Sequence, residues 1–180
     1  MINERDIKAD FPIFDPAGPN AGLVYLDSGA SAQKPRAVID ATSQFYSQGY
    51  ANIHRGVYKL SQYATDAYEA GRHQVRRLLN AREDGEIIFV RGATEGLNLV
   101  AQSWGRAFLQ AGDRVIISEL EHHANIVPWQ ILRDSIGIDL AIAPILDDGG
   151  LDRDAFSRLL SPQVKLVAIT HIANGTGAVN

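Results

Sequence analysis

Val115-Ile116-Ile117-Ser118, Ile138-Asp139-Leu140-Ala141-Ile142-Ala143 and Val164-Lys165-Leu166-Val167-Ala168-Ile169-Thr170 are three short β-rich runs, each one helix away from the next. They are apolar almost throughout rather than alternating, which is how strands buried on both faces read. Helical patterns over Asn125–Ile136 and Asp152–Leu160 fill the gaps. Working upstream, Thr94–Leu109 reads as another helix and Ile87–Val90 as another strand. Strand and helix in strict alternation build crossovers, which are right-handed as a rule, and a parallel sheet. The predicted class is α/β, a mostly parallel sheet with helices on both faces. Farther upstream the pattern loosens. Leu23-Val24-Tyr25-Leu26 predicts a short strand, Pro35 opens a helix to about Gln48, and Leu60 to Asn80 predicts a long helix. In that helix Leu60, Tyr63, Ala67, Ala70 and Leu78 fall near one face, with Arg72, Arg76 and Arg77 mostly elsewhere. No internal repeat or low-complexity linker interrupts the chain.

Composition narrows the function. The 180 residues are 46% apolar and 21% charged, the mix of an ordinary globular protein rather than a disordered one. Seventeen basic against 21 acidic residues give a net charge of −4, which argues against a nucleic-acid binder with a basic face. There is no cysteine, so this stretch makes no disulfide, thiolate zinc site or iron–sulfur site from its own thiols. The start, MINERDIKADFPIF, is charged from the fourth residue, Glu4, and lacks a signal peptide's apolar segment. No apolar run approaches the ~20 residues that span a bilayer. A soluble cytoplasmic protein, with no membrane partner, is the expectation.

Open α/β sheets bind ligands beyond the carboxyl ends of their strands. Those ends carry Arg91-Gly92-Ala93-Thr94, then Glu119 to Asn125, then His171 to Gly177. In the first, small residues and a helix N-terminus present backbone N–H groups to an anion, and Thr94 adds a hydroxyl. The loop has no Walker lysine and no GxGxxG pattern; its plainer reading is a tight turn with Thr94 as an N-cap. In the second, Glu121-His122-His123-Ala124-Asn125 pairs two histidines with a carboxylate. Consecutive histidines rarely aim at one metal, so no metal site is expected. A flat imidazole at a ligand edge stacks on an aromatic cofactor and exchanges protons, or is a hydrogen-bonded loop residue. Asn174 offers an amide to a hydroxyl or carboxylate, or caps a turn. His54-Arg55-Gly56, in an irregular segment, either faces an anion or is solvated.

YLDSGASAQKP (25–35), YANIHRGVYKLS (50–61), FVRGATEGLNLVAQSWG (89–105), EHHANIVPWQ (121–130) and VKLVAITHIANGTG (164–177) resemble, in order and spacing, the cysteine desulfurases of the class V aminotransferase superfamily. The SUF-type subgroup, which includes selenocysteine lyases, is the nearest in motif. The resemblance runs from about Ala9 to Gly177. It implies the N-terminal part of a fold type I pyridoxal-5′-phosphate (PLP) transferase large domain, with residues 1–22 a helical approach and 23–180 an incomplete PLP-binding domain. It further implies a homodimer that takes sulfur from L-cysteine, or selenium from L-selenocysteine, releases L-alanine and passes sulfur to an acceptor protein of iron–sulfur cluster assembly. By motif, Ala93 and Thr94 would bind the cofactor phosphate. His122 would stack on the ring and assist proton transfer, with His123 the lesser candidate. Asn174 would contact the ring hydroxyl and the substrate carboxylate. Gly29 and Ala30 match the carboxylate pocket, and His54 and Arg55 lie near the active site and dimer interface.

Two departures matter. The family's chemistry needs a lysine that holds the cofactor covalently and a cysteine that attacks the substrate sulfur. The chain's lysines are Lys8, Lys34, Lys59 and Lys165, none in the family's Ser-Gly-His-Lys context, and it has no cysteine. On its own the 180-residue chain is expected to be inactive, an N-terminal piece of a desulfurase. The alternatives are another PLP enzyme on this scaffold, and a short relative that binds PLP or pairs with a full-length subunit. Second, His-x-Ser-Asn-Val-Leu-Gly is usual where this chain has His171-Ile172-Ala173-Asn174-Gly175-Thr176-Gly177, and Gly29 replaces the more usual alanine.

Overall fold

The structure is a computed structural model that describes residues 4–180. It divides into two compact units, one reaching to Ile88 and the other running from Phe89. Among the described residues, no helix is long and apolar enough to cross a membrane.

The second unit is built on three parallel strands, β1 (Arg114–Ser118), β2 (Asp139–Ala143) and β3 (Val164–Ala168), in the order β2-β1-β3. Ile116 pairs with Ala141 on one side and Val167 on the other, so the first strand in sequence lies at the centre. Its Val115, Ile116 and Ile117 are at most 1% exposed, as a strand covered on both faces requires. The flanking strands depart from the expectation: Ile142 and Val167 are exposed, so β2 and β3 are covered on one side only. The expected Ile87–Val90 strand does not form either. Ile87 is extended, but no other strand lies beside the run among the described residues, and a strand needs a bonded neighbour.

Helices close the core. α4 (Ala93–Val100) continues through a π turn at Ala101–Gly105 into the short α5 (Arg106–Phe108), and α6 spans Val127–Ile136. Trp129 and Leu132 of α6 meet Val115, Ile117, Ala101 and Leu109 in one buried cluster. Gly105 lets α6 approach closely, since a Cβ there would sit 2.7 Å from Leu132 Cδ1. α6 stops at Gly137, which adopts φ 87° and donates its N–H to Arg133 O at 2.9 Å, a left-handed cap that glycine takes without a Cβ clash. α7 (Arg153–Leu159) starts at Asp152, whose Oδ1 accepts from Asp154 N and Ala155 N.

In the first unit the described residues form α1 (Glu4–Ala9), α2 (Arg36–Gln44) with a π turn at Phe45–Gly49, and the 20-residue α3 (Lys59–Leu78). Leu23–Leu26 is not a strand; it has no partner among the described residues, and Val24 and Leu26 are exposed. The buried side of α3 also differs from the expected stripe. Leu60, Tyr63 and Leu78 face solvent, while Ser61 and Ala64 are buried. Polar anchors set this rotation: Ser61 Oγ donates to Asn52 O at 2.6 Å, Arg72 donates to Ile87 O, and Arg76 pairs with Asp84 at 2.9 Å. Hydrogen bonds and an ion pair along one side of the helix have overruled its apolar periodicity.

Candidate functional site at the carboxyl edge of the sheet

β1 ends at Ser118, and the chain turns through Glu119 and Leu120 to the Glu121–Asn125 motif. His122 caps the 3-10 turn His123–Asn125: its Nδ1 accepts the Ala124 N–H at 3.1 Å. An acceptor at Nδ1 places the proton of the neutral imidazole on Nε2, the nitrogen left for a ligand. The His122 and His123 rings lie 6.0 Å apart at 44°, and both are exposed.

Glu121 and Asn125, whose roles the sequence did not disclose, are buried and bonded. Glu121 Oε1 accepts from Ser118 Oγ at 2.6 Å and from Thr170 N at 2.7 Å; its Oε2 accepts from Asn125 Nδ2 at 2.7 Å. Asn125 Nδ2 also donates to Ala168 O, and its Oδ1 accepts from Trp129 Nε1, both at 2.9 Å. The network ties the ends of β1 and β3 to the start of α6. The sequence signal was available in retrospect: Glu121, Asn125 and Trp129 are spaced by four, so they fall on one side of a turn entering a helix.

The third loop closes on itself. Ile172 bridges Val179 in antiparallel fashion, Ala173 N donates to Ala178 O at 2.9 Å, and Gly177 turns with φ 76°. Asn180 fastens the hairpin, its Nδ2 donating to Thr170 O at 3.0 Å and its Oδ1 accepting from Leu151 N at 3.0 Å. Asn174, at the exposed tip, shares a cavity of about 280 Å³ with Glu121, His122, His123, Ala173 and Thr176.

Ala93 and Thr94 open α4, which packs against the His123–Asn125 turn. Helix geometry leaves the N–H groups of Ala93, Thr94 and Glu95 without intrahelical partners, and both Ala93 and Thr94 are exposed. Glu95 turns back to accept from Arg91 N at 2.6 Å and pairs with the Arg91 guanidinium at 3.1 Å. Those hydrogen bonds hold its carboxyl below the ordinary value of 4.5. Thr94 lines a separate cleft with Arg91, Gly92, Asn98 and Gln102 rather than the His122 cavity. The structure thus brings His122 and Asn174 to one cavity and sets Ala93 and Thr94 on a helix packed against the turn that His122 caps.

The remaining candidates lie in the first unit. Gly29 and Ala30 are exposed in a turn where Ala30 N donates to Asp27 O at 3.1 Å. His54, at φ 65°, lies 2.7 Å from Glu69 through Nε2 and meets the Tyr68 ring edge-on, while Arg55 is exposed. Of the lysines, Lys165 lies near the N-terminal end of β3 and donates to Pro162 O, away from the carboxyl edge. Lys8, Lys34 and Lys59 belong to the first unit.

Sequence comparison gives this geometry its context. The pattern described as "Aminotransferase class-V" matches residues 24–180. The chain belongs to the class-V aminotransferase family. This family member is 51% identical over 174 residues to a cysteine desulfurase of Salmonella dublin, covering 97% of this chain and 43% of that protein. It superposes on the crystal structure of the cysteine desulfurase CsdA (S-sulfonic acid) from Escherichia coli with a TM-score of 0.82 and 40% identity, over 99% of this chain and 44% of that one. On the apo cysteine desulfurase of Thermococcus onnurineus NA1 the TM-score is 0.85 and the identity 34%, over 97% and 41%. The class-V chain therefore spans less than half the length of these relatives, and its α/β fold with a parallel sheet is theirs.

Proposed function

We propose that residues 1–180 supply the cofactor-holding edge of a PLP-dependent cysteine desulfurase. The observation that carries this reading is the cavity that His122, with Nε2 as its free nitrogen, lines together with Asn174. The similarity to cysteine desulfurases supports it over the whole chain. The donor set fits the phosphate and one ring edge of PLP: three N–H groups at an exposed helix start, a hydroxyl, a flat imidazole and an amide.

When bound, PLP supplies an electron sink for the bonds at the substrate's α-carbon. The residues of this chain do the rest of the holding. The N–H groups of Ala93 and Thr94, with the Thr94 hydroxyl, would bind the phosphate at the positive end of α4. His122 would stack on the ring and hold or move a proton at Nε2. Asn174 would orient the ring hydroxyl and the substrate carboxylate; by motif, Gly29 and Ala30 match the family's carboxylate pocket, and His54 and Arg55 match positions near its active site and dimer interface. The substrate is L-cysteine, with L-selenocysteine the chemical alternative. In this reading the sulfur-accepting cysteine lies outside residues 1–180, which contain no thiol, and so does the covalent lysine, since none of Lys8, Lys34, Lys59 and Lys165 stands in the family's Ser-Gly-His-Lys context. The complete enzyme is a cytoplasmic homodimer that delivers sulfur to an acceptor protein of iron–sulfur cluster assembly.

Titration of the 180-residue chain with PLP, followed by absorbance, tests the site. His122→Ala and Thr94→Ala should each weaken binding about tenfold, a loss of ~1.4 kcal/mol, and His123→Ala should weaken it less. Equal effects of the two histidine substitutions would assign the stacking role wrongly. Added cysteine should release no alanine. Alanine release that His122→Ala abolishes would overturn the division of labour.

A further inference from the structure

We infer that Glu121 is the positioning residue that sets His122, acting as a three-way clamp at the sheet edge rather than as an acid or base. This inference rests on the reading of His122 as the cofactor-facing ring. Three features lead to it. Glu121 is 9% exposed, so its hydrogen bonds lie out of water, where such bonds are strong and costly to leave unmade. Its two oxygens take donors from three separate elements: Ser118 at the end of β1, Thr170 after β3, and Asn125 in the turn. His122 is its immediate neighbour, so the His122 backbone is anchored at residue 121 on one side and at residue 125 on the other.

Each donor accounts for a separate freedom. Ser118 and Thr170 fix where the carboxylate sits relative to the strands. Asn125, itself pinned by Ala168 O and Trp129 Nε1, fixes the far end of the turn. With both ends fixed, the short turn brings Ala124 N–H within 3.1 Å of His122 Nδ1. That contact orients the ring and dictates which nitrogen carries the proton. Although Glu121 borders the cavity, both its oxygens are committed to protein donors, which separates it from the exposed imidazole beside it.

Native-state hydrogen exchange on the full 180-residue chain tests the clamp without any cofactor. In Glu121→Gln, an amide replaces one acceptor, and the Thr170 and Ala124 N–H groups should each lose about tenfold in protection. The β1 ladder amides of Ile116 and Ile117 should change by less than about twofold. The imidazole ¹⁵N signals of His122 should move in the same variant as the Ala124 contact is lost. Ser118→Ala, which removes one donor and leaves the carboxylate, should shift the same amides in the same direction by a smaller factor, and it serves if Glu121→Gln does not fold. Protection lost equally at Ile116, Ile117, Thr170 and Ala124 would reduce Glu121 to a general core residue and overturn the proposal. Unchanged protection at Ala124 would overturn it too. Because no PLP is present, these outcomes are independent of the PLP titration: a clamp that behaves as stated beside a His122→Ala chain that binds PLP normally would sink the cofactor reading alone.

Discussion

The two units of this chain are held by different means. From Phe89 onward, Val115, Ile117, Trp129 and Leu132, each at most 1% exposed, anchor a core of large apolar side chains. Up to Ile88 the buried positions include Gly49, Ser61 and Ala64, all small, with Ile87 the one larger apolar side chain among them. Polar ties replace packing there: the His54–Glu69–Arg72 chain, Arg76 with Asp84, and Ser61 with Asn52. Tyr46, Val57, Leu60, Tyr63 and Leu78 of that unit stay exposed. An apolar content of 46% therefore says nothing of where the core sits. Burial depends on what the backbone brings together: the sheet and its helices seal large apolar side chains from water, whereas Phe45, Tyr46 and Tyr50 meet one another in the first unit and Tyr46 and Tyr50 stay exposed.

The largest expected effect breaks or confirms this contrast directly. Leu132→Ala should destabilise the second unit by ~2–5 kcal/mol, because a fully buried leucine leaves a cavity. Both tryptophans, Trp104 and Trp129, lie in that unit, so urea unfolding followed by tryptophan fluorescence reads it alone. Leu78→Ala in α3, at 83% exposed, should cost less than ~0.5 kcal/mol by helical circular dichroism. Comparable losses at the two leucines would mean that α3 buries its apolar stripe in solution and that the units do not differ as described.

Gly105→Ala sharpens the contrast by adding volume instead of removing it. The new methyl would meet Leu132 Cδ1 at 2.7 Å inside the packed cluster. A cost of ~1–3 kcal/mol in the same fluorescence experiment is expected from overpacking. A neutral result would show that the contact between the π turn and α6 is loose.

The sheet and its edge were legible in the sequence because β1, β2 and β3 combine apolar runs with helix-length gaps, and one local pattern then fixes a nonlocal arrangement. The His122 and Asn174 loops were legible for the same reason, since crossover topology puts them on one edge. Ile87–Val90 was misread because its composition is a strand's, whereas strand formation is a property of pairs. The face of α3 was misread because Ser61 and Arg72, polar residues that a hydrophobic pattern counts as outward, are the ones that bond inward. Glu121 escaped notice in the shadow of two histidines: a carboxylate beside imidazoles suggests chemistry, and only coordinates show its oxygens already spent on Ser118, Asn125 and Thr170.

The smallest expected effect is a pH response at the start of α4. Glu95 accepts hydrogen bonds from the Arg91 side chain and from its backbone N–H, and these hold the carboxyl below 4.5 in the folded chain. A folded value below the unfolded one means that the contact stabilises the native state at pH above the unfolded value. The contribution is lost as pH falls through the folded value. The Arg91 amide resonance, followed by NMR during acid titration, should therefore shift with a midpoint below 4.5. Glu95→Gln should remove that step while leaving Ile116 and Ile117 in place, because the effect is confined to the first turn of the helix. A midpoint at or above 4.5 would mean that the Arg91–Glu95 contact does not hold in solution.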